Sequence, residues 1–158
     1  MSIQRAEQIH PAPAFPKFLP DEIAVRSVLP ALRAAVAREL SQAFRLTQHQ
    51  IAAKLGLTQA AVSHYLREKR GSTAGFVPKN PVVSRMCSEI AAILATESFD
   101  QREVASRFNS TMQYIKGRRL LCPVHKLFEP GLNVADCHIC DAPEFTDGSP
   151  ALNRRNGQ

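Results

Sequence analysis

Apolar positions recur at helical spacing along most of this chain, and nowhere do they alternate convincingly as a strand would. Leu32, Val36, Leu40 and Phe44 fall every fourth residue and predict a helix from Pro30 to about Phe44 with one buried stripe. Pro30 suits its first turn, where a missing N–H has no partner to lose. A short helical turn at Asp21–Arg26, with Asp21 as cap, is expected before it. Two short helices follow at about Gln48–Leu55 and Gln59–Glu68. Ile51, Ala52 and Leu55 form the stripe of the first; Val62 and Leu66, four apart, bury the second. Gly56 supplies the tight turn between them, since glycine takes positive φ at least cost, and Thr58 is a good N-cap. Val83, Met86, Cys87, Ile90 and Leu94 share one face of a helix ending near Thr96. Val104, Ala105, Phe108, Met112 and Ile115 do the same in a helix from Asp100, its cap, to Lys116, closed by Gly117. The expected fold class is all-α, with room for at most a short hairpin around the later cysteines.

The pattern divides the chain into segments. Residues 1–18 carry Pro11, Pro13 and Pro16 and predict a flexible arm that docks through Phe15, Phe18 and Leu19 or stays mobile. Residues 19–72 hold the helical pair and its supporting helix. Residues 73–118 form a helical linker whose Val83, Met86, Ile90 and Leu94 stripe is either a dimer surface or internal core. Residues 119–142 are rich in Cys and His, and 143–158 read as a disordered tail.

With Val62 and Leu66 turned inward, Gln59, Ala60, Ser63 and Arg67 lie outward at spacings i, i+1, i+4 and i+8. A short helix presenting those groups can enter a major groove and reach base edges. Gln59 suits a bidentate contact to adenine, Arg67 a guanine or a phosphate, Ala60 a thymine methyl, and Ser63 either base. Thr47 and Gln48 start the preceding helix, where N–H groups and hydroxyls meet phosphate, and Thr58 opens the second. Lys54, Lys69 and Arg70 add charge nearby, and His64 is equally a phosphate or base contact and an exposed bystander. Arg38, Arg45, Lys54, Arg67, Lys69 and Arg70 are opposed between residues 38 and 70 only by Glu39 and Glu68.

Composition sharpens this only modestly. Among 158 residues, 20 Lys and Arg face 14 Asp and Glu, a formal charge of +6 that fits a nucleic-acid partner without requiring one. Trp is absent and aromatics make up 6%, which argues against stacking platforms for single strands. No stretch approaches the length of a membrane span, and no signal-like apolar run opens the chain. A cytoplasmic protein is expected, with its cysteines reduced or metal-bound.

Three of the 4 cysteines fall in a second pattern, Cys122-Pro123-Val124-His125 followed by Cys137-His138-Ile139-Cys140. Two chelating pairs offer Cys122, His125, Cys137 and Cys140, three thiolates and an imidazole suited to tetrahedral Zn²⁺. An iron–sulfur cluster is the alternative, with Cys87 replacing His125. His138 would point away to solvent. Four protein ligands would close such a site, which argues against a catalytic zinc and against an enzyme.

Over Leu19–Arg33, Gly56–Leu66 and Lys69-Arg70-Gly71 the chain resembles Cro/repressor-like (Xre-type) helix-turn-helix regulators of bacteria and archaea. A similar unit occurs joined to thiamine-phosphate-synthase-like domains in archaea; this chain continues into the Cys-rich piece. The tail, in Leu120–Lys126 and Cys137–Cys140, also looks like one found in that group. Members often carry a further Cys-x2-Cys in the preceding helix, where this chain has Phe108–Thr111 and no cysteine. The resemblance implies a lambda-repressor-like fold and a sequence-specific regulator of transcription. A homodimer on a pseudo-palindromic double-stranded DNA operator is the expected assembly. The metal site would either staple the chain or sense a metal or redox signal. An adaptor that binds a protein through the Cys-rich module, with only weak DNA binding, is the rival reading.

Overall fold

Pro30 shapes the first long element. In a regular helix its ring would strike the carbonyl four residues back, and the chain answers with one wider turn. The computed structural model, which describes residues 17–67 and 74–140 and the backbone of 145–146 and 149–150, shows the result. Helix α1 (Pro20–Ile23) passes through a π-turn at Ala24–Val28 into α2 (Leu29–Gln42) without leaving helical geometry. The Leu29 N–H reaches back to the Ala24 carbonyl across that turn. The two elements expected here are therefore one run. Leu32, Val36 and Leu40 are fully buried along it. Phe44 is not: α2 ends at Gln42, Arg45 turns left-handed at φ 57°, and the Phe44 ring is left 38% exposed.

The helical pair occupies α3 (Gln48–Leu55) and α4 (Gln59–Arg67). Thr47 Oγ1 accepts the Gln50 N–H at 3.3 Å while Gln50 Oε1 accepts the Thr47 N–H at 2.8 Å, a reciprocal cap. Gly56 closes α3 at φ 63°, and the Leu57 N–H returns to the Ala52 carbonyl at 2.9 Å. Thr58 Oγ1 then accepts the Ala61 N–H at 3.1 Å and opens α4. Ile51 and Val62 are fully buried, so each helix is pinned by its apolar side to the core built on α2. A Cβ on Gly56 would meet nothing within 4 Å, so only the backbone conformation opposes substitution. Gly56→Ala is expected to destabilise by about 1–2 kcal/mol, and Gly56→Asn by less, because asparagine tolerates the left-handed region. Urea unfolding of the two variants checks the order.

A 3₁₀ turn at Val77–Lys79 leads into α5 (Pro81–Ala95), whose first N–H groups are taken by the Asn80 side chain. Val83, Cys87, Ile90, Ala91 and Leu94 are buried against α2. Of the expected stripe, Val83, Ile90 and Leu94 are therefore internal core, while Met86 is half-buried. Burial, and then the Glu39 carboxylate, pushes the Cys87 thiol up to about 11. At pH 8 Cys87 is thus expected to alkylate only as fast as the core opens, with little thiolate to react. Mass spectrometry of native and urea-unfolded protein after iodoacetamide treatment checks this.

Helix α6 (Gln101–Gly117) starts at the Asp100 cap, whose Oδ1 accepts the Arg102 N–H at 2.8 Å. Its expected buried row is only partly buried. Ile115 is fully covered, but Val104, Phe108 and Met112 are half-buried and Ala105 is exposed. The reason is that α5 is the main helix packed against α6. A last helix, α7 (Cys122–Phe128), follows a turn in which Arg119 is left-handed at φ 58°. The described residues are all-helical apart from one antiparallel pairing of β1 (Phe145–Thr146) with β2 (Ser149–Pro150). Among them no helix is long and apolar enough to cross a membrane. Residues 1–16 of the expected arm, the basic connector at 68–73 and most of the expected tail lie outside the described residues.

Candidate functional site

Two places gather chemistry. The first is the outer face of α4. Gln59, Ala60, His64 and Arg67 are exposed there and Ser63 is half-buried, while Val62, between them in sequence, is fully buried. That is the helical consequence of anchoring Val62: the residues one turn away face out together. The Arg67 Nε donates to the Ser63 carbonyl at 3.2 Å, which lays the guanidinium back along its own helix. His64 and Tyr65 stand with ring centroids 6.5 Å apart.

The supporting polar groups are placed unevenly. Thr47 and Thr58 are exposed and act first as caps, with their hydroxyls already engaged by N–H groups of α3 and α4. Gln48, the first residue of α3, is half-buried. Lys54 faces another way: its Nζ donates to the Thr96 carbonyl at 2.8 Å and lies 5.3 Å from the Phe99 ring centroid. It ties α3 to the α5–α6 connection. Arg45 is exposed. Lys69 and Arg70 lie outside the described residues.

The second place is built on the turn after α6. Cys122 and His125 are one turn apart at the start of α7, so a helix presents the first pair. Cys122, Cys137 and His125 are buried, and Cys140 is half-buried. The three cysteines are free thiols. The Cys140 thiol is pushed up to about 11, first by burial, then by the charges that Cys122 and Cys137 would carry, with Lys116 opposing and Asp21 adding. The three late thiols are therefore electrostatic neighbours. Cys87 belongs to the helical core beside Glu39 instead.

His125 supplies the sharpest observation. It is 1% exposed, and its Nε2 is buried without a hydrogen-bond partner. The nearest carboxylate, Glu129 Oε2, is 3.7 Å away, within ion-pair range but too long for a hydrogen bond. Leaving such an atom unpaired costs about 1–3 kcal/mol, so it calls for a reason. Among the described residues no group of three or more His, Cys, Asp or Glu side chains is arranged to hold a metal ion. The donor set fits zinc in kind and number, and the orphaned nitrogen fits a site that a metal would organise.

Residues outside the expected set hold this corner together. The Arg119 guanidinium donates to the Val134 carbonyl and, at 3.2 Å, to that of Ala135, which fastens the loop leading to Cys137. Nothing in the residue pattern marks Arg119. Glu129 was more legible, since it lies four residues after His125 on the same helical face. Its Oε1 accepts the Phe18 N–H at 2.7 Å, a contact across the whole chain that no local spacing could announce. Comparisons with family models, with curated proteins and with solved structures return no match.

Proposed function

We propose that this chain is a sequence-specific, double-stranded DNA-binding regulator of transcription, with α4 as its reading helix and a zinc site at Cys122, His125, Cys137 and Cys140. The observation that carries the first part is the division of α4. Val62 is fully buried while Gln59, Ala60 and Arg67 are exposed on a nine-residue helix set off by the left-handed Gly56. A capped helix with an amide, a methyl and a guanidinium on its exposed face has the chemistry of base-edge readout. In this reading the N-terminus of α3, with Thr47 and Gln48, approaches phosphate, and Thr58, Ser63, His64, Lys69 and Arg70 border the contact. One such helix spans few base pairs, so the acting species is a homodimer on a two-fold related site with half-sites about one helical turn apart.

Selection from a random duplex library at fixed salt tests the reading, with enrichment of one pseudo-palindromic sequence as the expected result. Retention of no sequence above background would favour the adaptor instead. The metal is read separately from protein purified without oxygen. A colourless product with about one zinc per chain is expected from three thiolates and an imidazole. A brown product containing iron and sulfide would replace zinc by a cluster.

A further inference from the structure

Glu129 stands between two groups that have no other reason to meet. One oxygen faces His125 Nε2 at 3.7 Å; the other accepts the Phe18 backbone N–H at 2.7 Å. The carboxylate is itself mostly buried, at 15% side-chain exposure. Around it the stretch that opens α1 is fastened twice more. The Phe18 ring meets Phe128 of α7 edge-on with centroids 5.7 Å apart, and Asp21 Oδ1 pairs with Lys116 Nζ of α6 at 2.9 Å. Arg26, further along the same run, lies over the Phe18 ring at 5.5 Å. The start of the helix that supports α3 and α4 is thus seated directly on the Cys/His corner.

A metal-bound histidine characteristically donates its second ring N–H to a carboxylate, which orients the ring and raises its basicity. Here the nitrogen facing the carboxylate is the one left without a partner. We propose that Glu129 is the outer carboxylate of the zinc site, joining His125 to the Phe18 backbone, so that zinc loading seats the Phe18–Asp21 stretch on α7. Glu129 is a positioning residue in this scheme: with zinc held by His125 and the cysteines, the carboxylate facing Nε2 would orient the ring. Fixing one oxygen fixes the other, and the Phe18 N–H gains a rigid acceptor. The proposal rests on the zinc reading above and adds to it the direction in which the site acts on the rest of the chain.

The test uses the full chain with zinc as the only added probe, zinc affinity being read by competition with a chromophoric chelator. Exchange of the Phe18 amide is followed by NMR alongside the Ile90 and Leu94 amides of the core. In the wild type, zinc is expected to slow exchange at Phe18 and leave Ile90 and Leu94 unchanged. Glu129→Gln keeps an acceptor for the Phe18 N–H but gives up the charge; it should weaken zinc about 10–100-fold with Phe18 still protected. Glu129→Ala should lose both. If zinc binds stoichiometrically but Phe18 exchanges at one rate with and without it, the coupling is overturned and the site stands. Unchanged zinc affinity in both variants likewise removes Glu129 from the site. If the wild type takes no zinc, the site itself falls, and the coupling with it.

Discussion

Stripping zinc from the full chain, or replacing Cys137 by serine, is expected to loosen residues 119–140 while the α2–α5 core stays folded. The two regions differ in how much apolar packing holds them. Leu32, Leu40, Ile51, Val62, Ile90 and Leu94 are all at most 1% exposed and belong to one apolar cluster, which needs no metal. The later segment has one seven-residue helix, well below the roughly 12–15 residues at which isolated helices become even marginal in water. Its buried side chains are Leu121, Cys122, Val124, His125 and Cys137, so much of what it covers is thiol and imidazole rather than hydrocarbon. Leu121 and Val124 reach the apolar cluster and the Phe128 ring meets Phe18, but the other ties are polar: Arg119 to two carbonyls, Lys126 Nζ to the Leu132 carbonyl at 3.2 Å, and Asn133 to Asp136. Structural zinc contributes an apparent ~10–16 kcal/mol in small peptides, comparable with the whole stability of a domain at about 5–15 kcal/mol. Hydrogen exchange by mass spectrometry, with and without chelator, reads the result. Equal protection of 119–140 in both samples would mean that packing alone holds the segment.

What was legible in the residues follows from how local each cause is. The caps at Thr58 and Asp100 and the turn at Gly56 depend on a few neighbouring atoms, and they stand where the pattern put them. The stripe of α5 was equally clear as a stripe; whether it met this chain or another depended on α2, far away in sequence. The same limit explains α6, where periodicity identified an apolar row but not that α5 covers only part of it. Phe44 fell out of its row because the helix ended two residues early. In the Cys/His corner the ligand candidates were visible as types and spacings. Their setting was not, because Arg119 reaches two backbone carbonyls and Glu129 the Phe18 N–H, partners that carry no sequence signature.

Replacing Gln59 and Arg67 together by alanine is expected to abolish sequence selection while leaving the fold intact. Both side chains are exposed, and alanine is a good helix former, so α4 should persist. Among the described residues, Arg67 gives up its hydrogen bond to the Ser63 carbonyl. A good bidentate base contact contributes about 1–3 kcal/mol of discrimination, so losing two should remove on the order of a hundredfold or more in selectivity. The effect should appear as a collapse of the ratio between the selected duplex and a scrambled one. Arg45→Gln provides the contrast, because in the proposed complex an exposed cation near α3 would act on phosphate. It should weaken binding to both duplexes alike and lower the salt slope by about one. Fluorescence anisotropy over a salt series separates the two patterns. A double variant that still discriminates would remove α4 as the reading helix, whereas one that loses affinity uniformly would recast Gln59 and Arg67 as phosphate contacts.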